Sequence, residues 1–387
     1  MAAVKLRNKP SVGWLPLILF STSNLTTTAQ LVDLPQEVVI NSGRPTFYTP
    51  GSPLSGKIAL EEHVGNTLFS GVYTPPPVNF TNEPAFDLAI YDADVSSRLN
   101  DIDTRVAAMN AANISMSVVI FGAPGIHGIF NTTFATIAAT YVNDEAAQTY
   151  NHGSHSSRFD FWCSNALQDP ISAAAELERC VKHPGGVDSF VGGYTNNGSE
   201  NSIISLDDPV NDVFLAKVAE LDVPIHLHLR EAAPNQHRVY QDYSIMAGSP
   251  WGFAAEIGAH ALRIMMSGVL DTYPNLKIIL GHCGEGLPFF MPRIESRLRH
   301  AIHSYPAKQN LTYYWNRNFY VTTSGIQSKA VLDLTLASLG EDRVMLSVDY
   351  PFEDDVELGT WFDRIEMSVG AKEKIASENA RNILKLR

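Results

Sequence analysis

Carboxylate and imidazole side chains stand at the ends of several short apolar runs in this sequence. They are Glu61, His63, His226, His228, His282 and Asp349. Side chains two residues apart on a β-strand lie on the same face, so Glu61 and His63 should point in one direction. Such groups are ligands that suit Zn²⁺, Mn²⁺ or Fe²⁺, and no thiolate is needed. If the runs end on one surface, the sequence predicts a metal site there.

Eight short apolar runs alternate with segments of helical periodicity, which is the pattern of an α/β protein with a (β/α)8 TIM-type barrel. The runs span 57–61, 116–121, 159–165, 189–194, 224–229, 277–281, 319–323 and 344–348. Helices are predicted over 97–111, 169–181, 211–221 and 254–269. A doubly wound open sheet competes, but no GxGxxG motif follows the first run. In a barrel, all strand carboxyl ends open on the face that builds active sites.

The N-terminal part is predicted to lie outside the barrel. Residues 1–29 combine a basic start with a short apolar run, which fits either a secretory signal peptide or a disordered tail. Residues 30–55 are predicted as an irregular arm, and the barrel as 56–387. The apolar run is too short for a membrane span. The cellular location stays open between secretion and the cytoplasm, and the N-x-S/T sequons slightly favour secretion. These sequons begin at Asn24, Asn79, Asn113, Asn131, Asn197 and Asn310.

Charge and cysteine content limit the function further. The formal net charge of −13 argues against nucleic acid as a partner, because phosphate binding needs a basic surface. An anionic substrate would need a local attraction, from a bound cation or a placed arginine. Cys163, Cys180 and Cys283 lie far apart, which excludes a disulfide framework and leaves room for one bridge. A serine hydrolase is disfavoured because there is no GxSxG motif, and a nucleophilic role for Cys283 is equally disfavoured.

For some polar residues in or near these runs, the sequence either predicts a structural role or leaves the role open. Glu62 is predicted to face the barrel wall, and His226 to be either a buried histidine or a ligand. His127 and His260 stay open. The histidines predicted to be solvated are His152, His155, His183, His300 and His303.

Four motifs resemble those of one enzyme family. They are residues 56–63 (GKIALEEH), 268–285 (GVLDTYPNLKIILGHCGE), 347–353 (SVDYPFE) and 377–381 (SENAR). They are similar to motifs of the metal-dependent decarboxylases of the amidohydrolase superfamily, which act on γ-resorcylate, 2,3-dihydroxybenzoate, 5-carboxyvanillate and aminocarboxymuconate semialdehyde. The resemblance covers residues 56–387. Departures from it are His226, Leu229 and Cys283, where the family often has a bulky residue, Pro, and Met or Gly.

The resemblance implies one divalent ion, zinc or manganese. The implied ligands are Glu61, His63, His228 and Asp349. His282 would be an acid/base or substrate-binding residue that Glu285 orients. The proton donor is Asp349 or, as the second candidate, His282. Arg293 would contact the substrate, and Phe352 would wall its ring.

The function expected from the resemblance is non-oxidative decarboxylation of a small 2-hydroxyaromatic acid of the hydroxybenzoate, salicylate or orsellinate type. A homo-oligomer, either a dimer or a tetramer, is expected with it. A mononuclear metal-dependent hydrolase of a lactone, amide or imine is the first alternative, with Asp349 as base. No lysine ends the fourth run, where 194–196 reads YTN, and this favours a mononuclear site. The second alternative is a scaffold protein that binds no metal.

Overall fold

Eight parallel strands form the centre of the structure, a computed structural model that describes residues 53–65, 89–122, 125–183, 185–233, 238–301 and 304–386. The predicted tail 1–29 and nearly all of the arm 30–55 lie outside these residues. The strands are β1 Lys57–Val64, β2 Ile114–Phe121, β3 Phe159–Ser164, β4 Asp188–Gly192, β5 Ile225–His228, β6 Ile278–Leu280, β7 Phe319–Thr322 and β8 Val344–Met345. They are adjacent in chain order, with no reversal of the kind that a doubly wound sheet shows.

The first and last strands are joined mainly through side chains. The Ser347 hydroxyl accepts hydrogen bonds from the backbone N–H of Glu61 at 2.7 Å and of Leu60 at 3.2 Å. The Glu62 carboxylate accepts from the backbone N–H of Val348 at 3.0 Å and from the Ser347 hydroxyl at 3.1 Å. These contacts bring the sheet to a nearly closed ring, and the predicted (β/α)8 barrel is confirmed.

Helices occupy the connections between the strands. They are α1 Ala89–Leu99, α2 Ile102–Ala112, α3 Thr132–Ala146, α4 Pro170–Lys182, α5 Asp212–Leu221, α6 Gly252–Met266, α7 Val269–Thr272, α8 His282–Glu285, α9 Leu287–Leu298, α10 Leu311–Asn318, α11 Lys329–Leu339, α12 Asp355–Arg364, α13 Val369–Glu373 and α14 Asn379–Leu384. The single helix predicted over 97–111 is wrong. Its residues belong to α1 and α2, because the Asp101 carboxylate accepts from the backbone N–H of Thr104 and begins a second helix. A short antiparallel ribbon pairs Thr195–Asn196 with Ile203–Ile204.

The buried side chains form two main layers. Alternate residues of the strands, including Ile58, Leu60 and Trp162, fill the barrel interior, and α14 contributes Ile383 and Leu384 to the same cluster. The larger layer lies between the strands and the helices and includes Ala59. This alternation is the period of two expected for a strand whose two faces are both covered.

A disulfide joins β3 to the helix that follows it. Cys163 and Cys180 are both buried, and their sulfur atoms are bonded. The one bridge for which the cysteine content left room is therefore present, whereas Cys283 is a buried free thiol. In the described part of the chain, no helix is both long and apolar enough to cross a membrane.

Candidate active site

The structure brings together the six polar residues that follow the apolar runs. Glu61 and His63 belong to β1, and His226 and His228 belong to β5. His282 begins α8 directly after β6, and Asp349 follows β8. All six lie at the carboxyl ends of the strands, the face on which a barrel builds its active site.

A β-bulge decides which residues of β1 reach this site. The pairing of β1 with β2 shifts register between Ala59 and Glu62, so the strict alternation of faces is broken there. Leu60 faces the interior, and without the bulge Glu62 would be the next residue to do so. Instead Glu62 contacts Ser347 at the junction with β8, which agrees with the predicted position in the wall. Glu61 and His63 share the inner face, as the spacing predicted.

The candidate ligands contact one another in pairs. His228 Nε2 lies 3.4 Å from Glu61 Oε1, and His63 Nε2 lies 3.0 Å from Asp349 Oδ1. The rings of His63 and His228 are 5.0 Å apart, so the two pairs are neighbours. Sequence reasoning missed Thr322, which donates a hydrogen bond of 3.0 Å to Glu61 Oε2 and fixes that carboxylate. No local pattern of the sequence indicates this contact between residues 261 positions apart.

His282 lies between two carboxylates. Its Nδ1 is 2.8 Å from Glu285 Oε1, and its Nε2 is 3.5 Å from Asp349 Oδ2. The backbone of His282, Cys283 and Glu285 has positive φ, with values of 47°, 55° and 54°. This tight left-handed turn places the Glu285 carboxylate next to the imidazole. The preceding residue must be glycine, because a Cβ on Gly281 would lie 2.8 Å from Glu61 Oε1.

Burial and neighbouring charges shift the pKa values of these groups. Burial raises the pKa of Glu61 to about 7, against the opposing charge of His282. Burial lowers the pKa of His226 to about 3 and that of His228 well below its usual range. Burial alone would raise the pKa of Asp349, but hydrogen bonds from His282 and His63 hold it well below its usual range.

The pKa of His282 changes in the opposite direction from the pKa values of His226 and His228. Burial disfavours its charged form, but the charges of Glu285 and Glu61 and the hydrogen bonds that the ring donates to Asp349 and Glu285 raise its pKa well above the usual range. These contacts favour the protonated form of His282.

The donor set fits a divalent ion. Both ring nitrogens of His228 and of His226, and Oε1 of Glu61, are buried without a hydrogen-bond partner among the described residues. A neutral imidazole nitrogen and a carboxylate oxygen that face each other are stabilised when a cation binds both. Adjacent ligands held at about 2.1 Å from one ion are themselves about 3.0–3.4 Å apart, which matches the two pairs above. Within the described residues, no three such groups surround one point at bonding distance as the side chains stand.

Comparison with known proteins identifies one family to which the sequence is related. The family model for amidohydrolases matches residues 78–386. The chain belongs to the amidohydrolase family. A γ-resorcylate decarboxylase of Polaromonas sp. strain JS666 is 37% identical over 342 residues, which are 86% of this chain and 99% of that protein. The decarboxylase orsB of Emericella nidulans is 33% identical over 340 residues, 85% of this chain and 97% of that protein.

A solved structure agrees with this amidohydrolase fold. The dihydroxybenzoic acid decarboxylase of Polaromonas sp. JS666, with bound manganese and the inhibitor 2-nitroresorcinol, superimposes with a TM-score of 0.79. It is 36% identical, and the match covers 86% of this chain and 98% of that one. The family expected from the four motifs is therefore confirmed.

The two predicted substrate-binding residues occupy different positions in this amidohydrolase. The Phe352 ring meets the His63 ring edge-on, with centroids 5.1 Å apart, so it lies beside the candidate site, and its role as a wall for the substrate's ring stays a prediction. Arg293 lies exposed on α9, and its role as a substrate contact stays a prediction.

The remaining histidines divide into buried and solvated residues. His127 and His260, which the sequence left open, are buried, and each accepts a backbone N–H, from Gly192 at 3.4 Å and from Leu206 at 3.0 Å. His152, His183 and His300 are exposed as predicted. His155 is partly exposed beside Asp103, and His303 lies outside the described residues.

Proposed function

We propose that this amidohydrolase is a metal-dependent carboxy-lyase that removes carbon dioxide from a 2-hydroxyaromatic acid without oxidation. The observation that carries the proposal is one cluster of side chains that holds two carboxylate–imidazole pairs next to His282, which itself contacts the carboxylates of Glu285 and Asp349. Relatives at 33–37% identity along nearly their whole length are decarboxylases. A related structure holds manganese and an inhibitor with two hydroxyl groups flanking a nitro group.

We propose that Glu61, His63, His228 and Asp349 hold one divalent ion, manganese or zinc. Such an ion would supply local positive charge for an anionic substrate and would act as a Lewis acid towards its oxygens. Glu61 would be kept in place by the Thr322 hydroxyl and by the backbone hydrogen bond to Ser347. His226 lies two residues before His228 on β5, with its Nε2 3.7 Å from Glu61 Oε2, and we assign it no ligand role.

The chain's own acid–base groups would supply the proton that the ring carbon needs. Direct loss of carbon dioxide from an aromatic acid leaves an unstable aryl anion, so protonation of the ring carbon has to precede it. We assign His282 Nε2 as the atom that stores the proton, because Glu285 stabilises the imidazolium from its other side. Asp349 Oδ2, 3.5 Å away, is the acceptor that can pass this proton to the ring.

The substrate would bind with its ring against Phe352, whose edge-on contact with His63 sets one wall of the pocket. We keep Arg293 as a candidate for the substrate's carboxylate on the basis of the family resemblance. Its exposed guanidinium on α9 would supply local positive charge.

We also propose that the enzyme is a homo-oligomer, a dimer or a tetramer. Exposed aromatic side chains support this proposal, because Trp251, Phe289 and Phe290 are 50%, 69% and 45% exposed. Sedimentation at assay concentrations should give a mass of at least two chains. Phe289→Ser with Phe290→Ser should shift the mass towards one chain, and a wild-type monomer would contradict the proposal.

The decisive experiment follows the product of the manganese-loaded enzyme in heavy water. The acids to test are salicylate, orsellinate, 6-methylsalicylate, 2,3-dihydroxybenzoate and 2,6-dihydroxybenzoate. Decarboxylation through ring protonation releases carbon dioxide and leaves one deuterium on the carbon that lost the carboxylate. A hydrolase would instead release no carbon dioxide from any of them and would incorporate ¹⁸O from labelled water into the product of a lactone, amide or imine. That result would support the alternative function.

A further inference from the structure

We propose that this chain matures in the secretory pathway, as a protein with a Cys163–Cys180 disulfide and N-linked glycans on Asn113, Asn131 and Asn310. Two independent observations support the proposal: a buried disulfide, and sequon asparagines on the surface. Disulfides persist in oxidising compartments, and N-linked glycans are attached to sequons of secreted proteins. The inference goes beyond the proposed decarboxylation and does not depend on it.

The disulfide is built into the wall of the barrel rather than placed on the surface. Cys163 lies in β3 and Cys180 in α4, and both are completely buried. The backbone at Gly186 passes so close that an added Cβ would lie 2.3 Å from Cys163 Sγ and 2.8 Å from Cys180 Sγ. The third cysteine, Cys283, is buried elsewhere, and burial raises the pKa of its thiol to about 11. The pairing is therefore specific, and Cys283 is a poor competitor for it.

Formation of this bridge is an oxidation. The two thiols together lose two protons and two electrons, and an oxidised thiol–disulfide exchange protein accepts them as its own disulfide is reduced. Oxidants of this class act on proteins that enter an oxidising compartment. In a reducing compartment the same pair would stay as two thiols.

Two sequon asparagines cap helices in a way that leaves the glycosylated atom out of the cap. The Asn131 side chain accepts the backbone N–H of Phe134 through Oδ1 at 2.8 Å, and α3 follows. Asn310 Oδ1 accepts the backbone N–H of Tyr313 at 2.9 Å at the start of α10. A glycan is attached to Nδ2, so both caps persist after modification. Both residues are exposed.

The third site is Asn113, an exposed residue that ends α2 in the left-handed conformation with φ of 58°. Asn197 is left out of the proposal, because it is half-buried and its Oδ1 lies 3.5 Å from Thr132 Oγ1. Asn24 and Asn79 lie outside the described residues.

Glycan transfer would use a lipid-linked oligosaccharide pyrophosphate as the donor. The asparagine Nδ2 forms a bond to the anomeric carbon of the sugar, and the bond from that carbon to the pyrophosphate oxygen breaks. The amide nitrogen loses one proton, and the lipid pyrophosphate leaves. No oxidant or reductant takes part in this step.

The test is expression of the full chain, with its own N-terminal residues, in a eukaryotic host. Glycans on the purified protein are released with peptide N-glycosidase in ¹⁸O-water, which converts each modified asparagine to labelled aspartate. We expect label at Asn113, Asn131 and Asn310 by peptide mass spectrometry. Label at none of the three sites would overturn the glycan assignment.

Matched variants separate loss of a glycan from loss of the fold. Thr133→Ala removes the Asn131 sequon but keeps its helix cap, whereas Thr133→Ser keeps both, so only the first should lose the label at Asn131. Asn310→Asp removes the acceptor amide but keeps an oxygen for the cap of α10. Label at Asn131 in the Thr133→Ala variant would show that the modification is not sequon-directed and would contradict the proposal.

Thiol titration of the unfolded protein tests the disulfide. We expect one reactive cysteine before reduction and three after it, since only Cys283 is free. The Cys283→Ser control should give none before reduction and two after it. Three reactive thiols before reduction would overturn the assignment of an oxidising compartment. Enzyme made in a bacterial cytosol can still be assayed for carbon dioxide release, so this failure and a failure of the proposed function are distinguishable.

Discussion

The Nδ1 atom of His282 lies 2.8 Å from Oε1 of Glu285, three residues further along the chain. This contact orients the ring and directs its other nitrogen, Nε2, towards Asp349. It also places a negative charge beside a half-buried imidazole, which favours the charged form of the ring. The Glu285 carboxylate therefore orients the group that we assign as the proton store and favours its protonated form.

Replacement of either member of this pair should reduce turnover without loss of metal. His282→Asn should nearly abolish carbon dioxide release, because it removes the titratable group. Glu285→Gln keeps a hydrogen-bond acceptor but removes the charge, and we expect kcat to fall by about 10–100-fold, as for other partners that orient a catalytic histidine. Metal analysis should show near-stoichiometric metal in both variants. Loss of the metal in His282→Asn would make His282 a ligand instead.

Removal of the metal should abolish activity reversibly. Chelation should eliminate carbon dioxide release, and addition of Mn²⁺ should restore it, because the substrate's two oxygens lose their common partner. Glu61→Gln and His228→Ala each remove one donor of the pair that is 3.4 Å apart. We expect both variants to lose bound metal, measured by elemental analysis after dialysis, together with turnover. His152→Ala, an exposed histidine, is the matched control and should keep both. Full activity after complete metal removal would contradict the proposed ligand set.

The sequence predicted the barrel, the groups of the site and the common direction of Glu61 and His63, but not the β-bulge that keeps Glu62 out of the interior. Buried strands show apolar runs with a period of two, and polar residues follow where burial ends. Both patterns can be seen within a single segment of the sequence. The bulge between Ala59 and Glu62 depends on how β1 pairs with β2, so no local pattern reveals it. It nevertheless decides that Glu61, and not Glu62, faces the interior.

The sequence also does not predict contacts between segments that are far apart along the chain. Thr322 and Ser347 look like ordinary strand residues, yet their hydroxyls hold the Glu61 side chain and backbone. The Cys163–Cys180 pairing depends on how α4 packs against β3, and a separation of 17 residues alone does not indicate it. The helix periodicity does not show the boundary at Asp101, because an aspartate that caps a new helix can also occupy an ordinary helical position.

Loss of the Ser347 hydroxyl should destabilise the junction between β1 and β8. In Ser347→Ala, two buried backbone N–H groups and the Glu62 carboxyl lose a partner. The Glu62 carboxyl keeps the Val348 N–H, so two N–H groups are left unsatisfied at about 1–3 kcal/mol each, and we expect the free energy of unfolding to fall by about 2–6 kcal/mol, measured by urea titration. Ser324→Ala is the matched control, because the Ser324 hydroxyl is buried without a hydrogen-bond partner among the described residues. Equal losses in the two variants would contradict this account.

Reduction of the disulfide should lower stability and leave the site intact. The bridge closes a loop between residues 17 positions apart, and cross-linking of that length stabilises the folded state by about 3 kcal/mol in the chain-entropy model. Cys163→Ala with Cys180→Ala should therefore unfold at lower urea concentration than the oxidised wild type, and a reducing agent should have no further effect on the variant. Cys283→Ala keeps the bridge and should retain sensitivity to the reductant. An oxidised and a reduced wild type that unfold at the same urea concentration would show that the bridge contributes nothing.

The hydroxyl group next to the substrate's carboxylate should control the rate. Two oxygen donors from the substrate fix its carboxylate on the ion and stabilise the charge that ring protonation creates. Without the ortho hydroxyl the substrate would offer the ion its carboxylate alone. The positive charge of the protonated ring would then lack the stabilisation that the hydroxyl oxygen gives. Loss of about 4 kcal/mol of transition-state stabilisation corresponds to about a thousandfold in rate. We therefore expect turnover of 2-hydroxybenzoates, with benzoate and 4-hydroxybenzoate slower by about a thousandfold or more in kcat/KM, measured as carbon dioxide release under identical metal loading. Comparable values for 2-hydroxybenzoate and 4-hydroxybenzoate would rule out this role of the ortho oxygen and would direct attention to a non-aromatic acid or to hydrolysis.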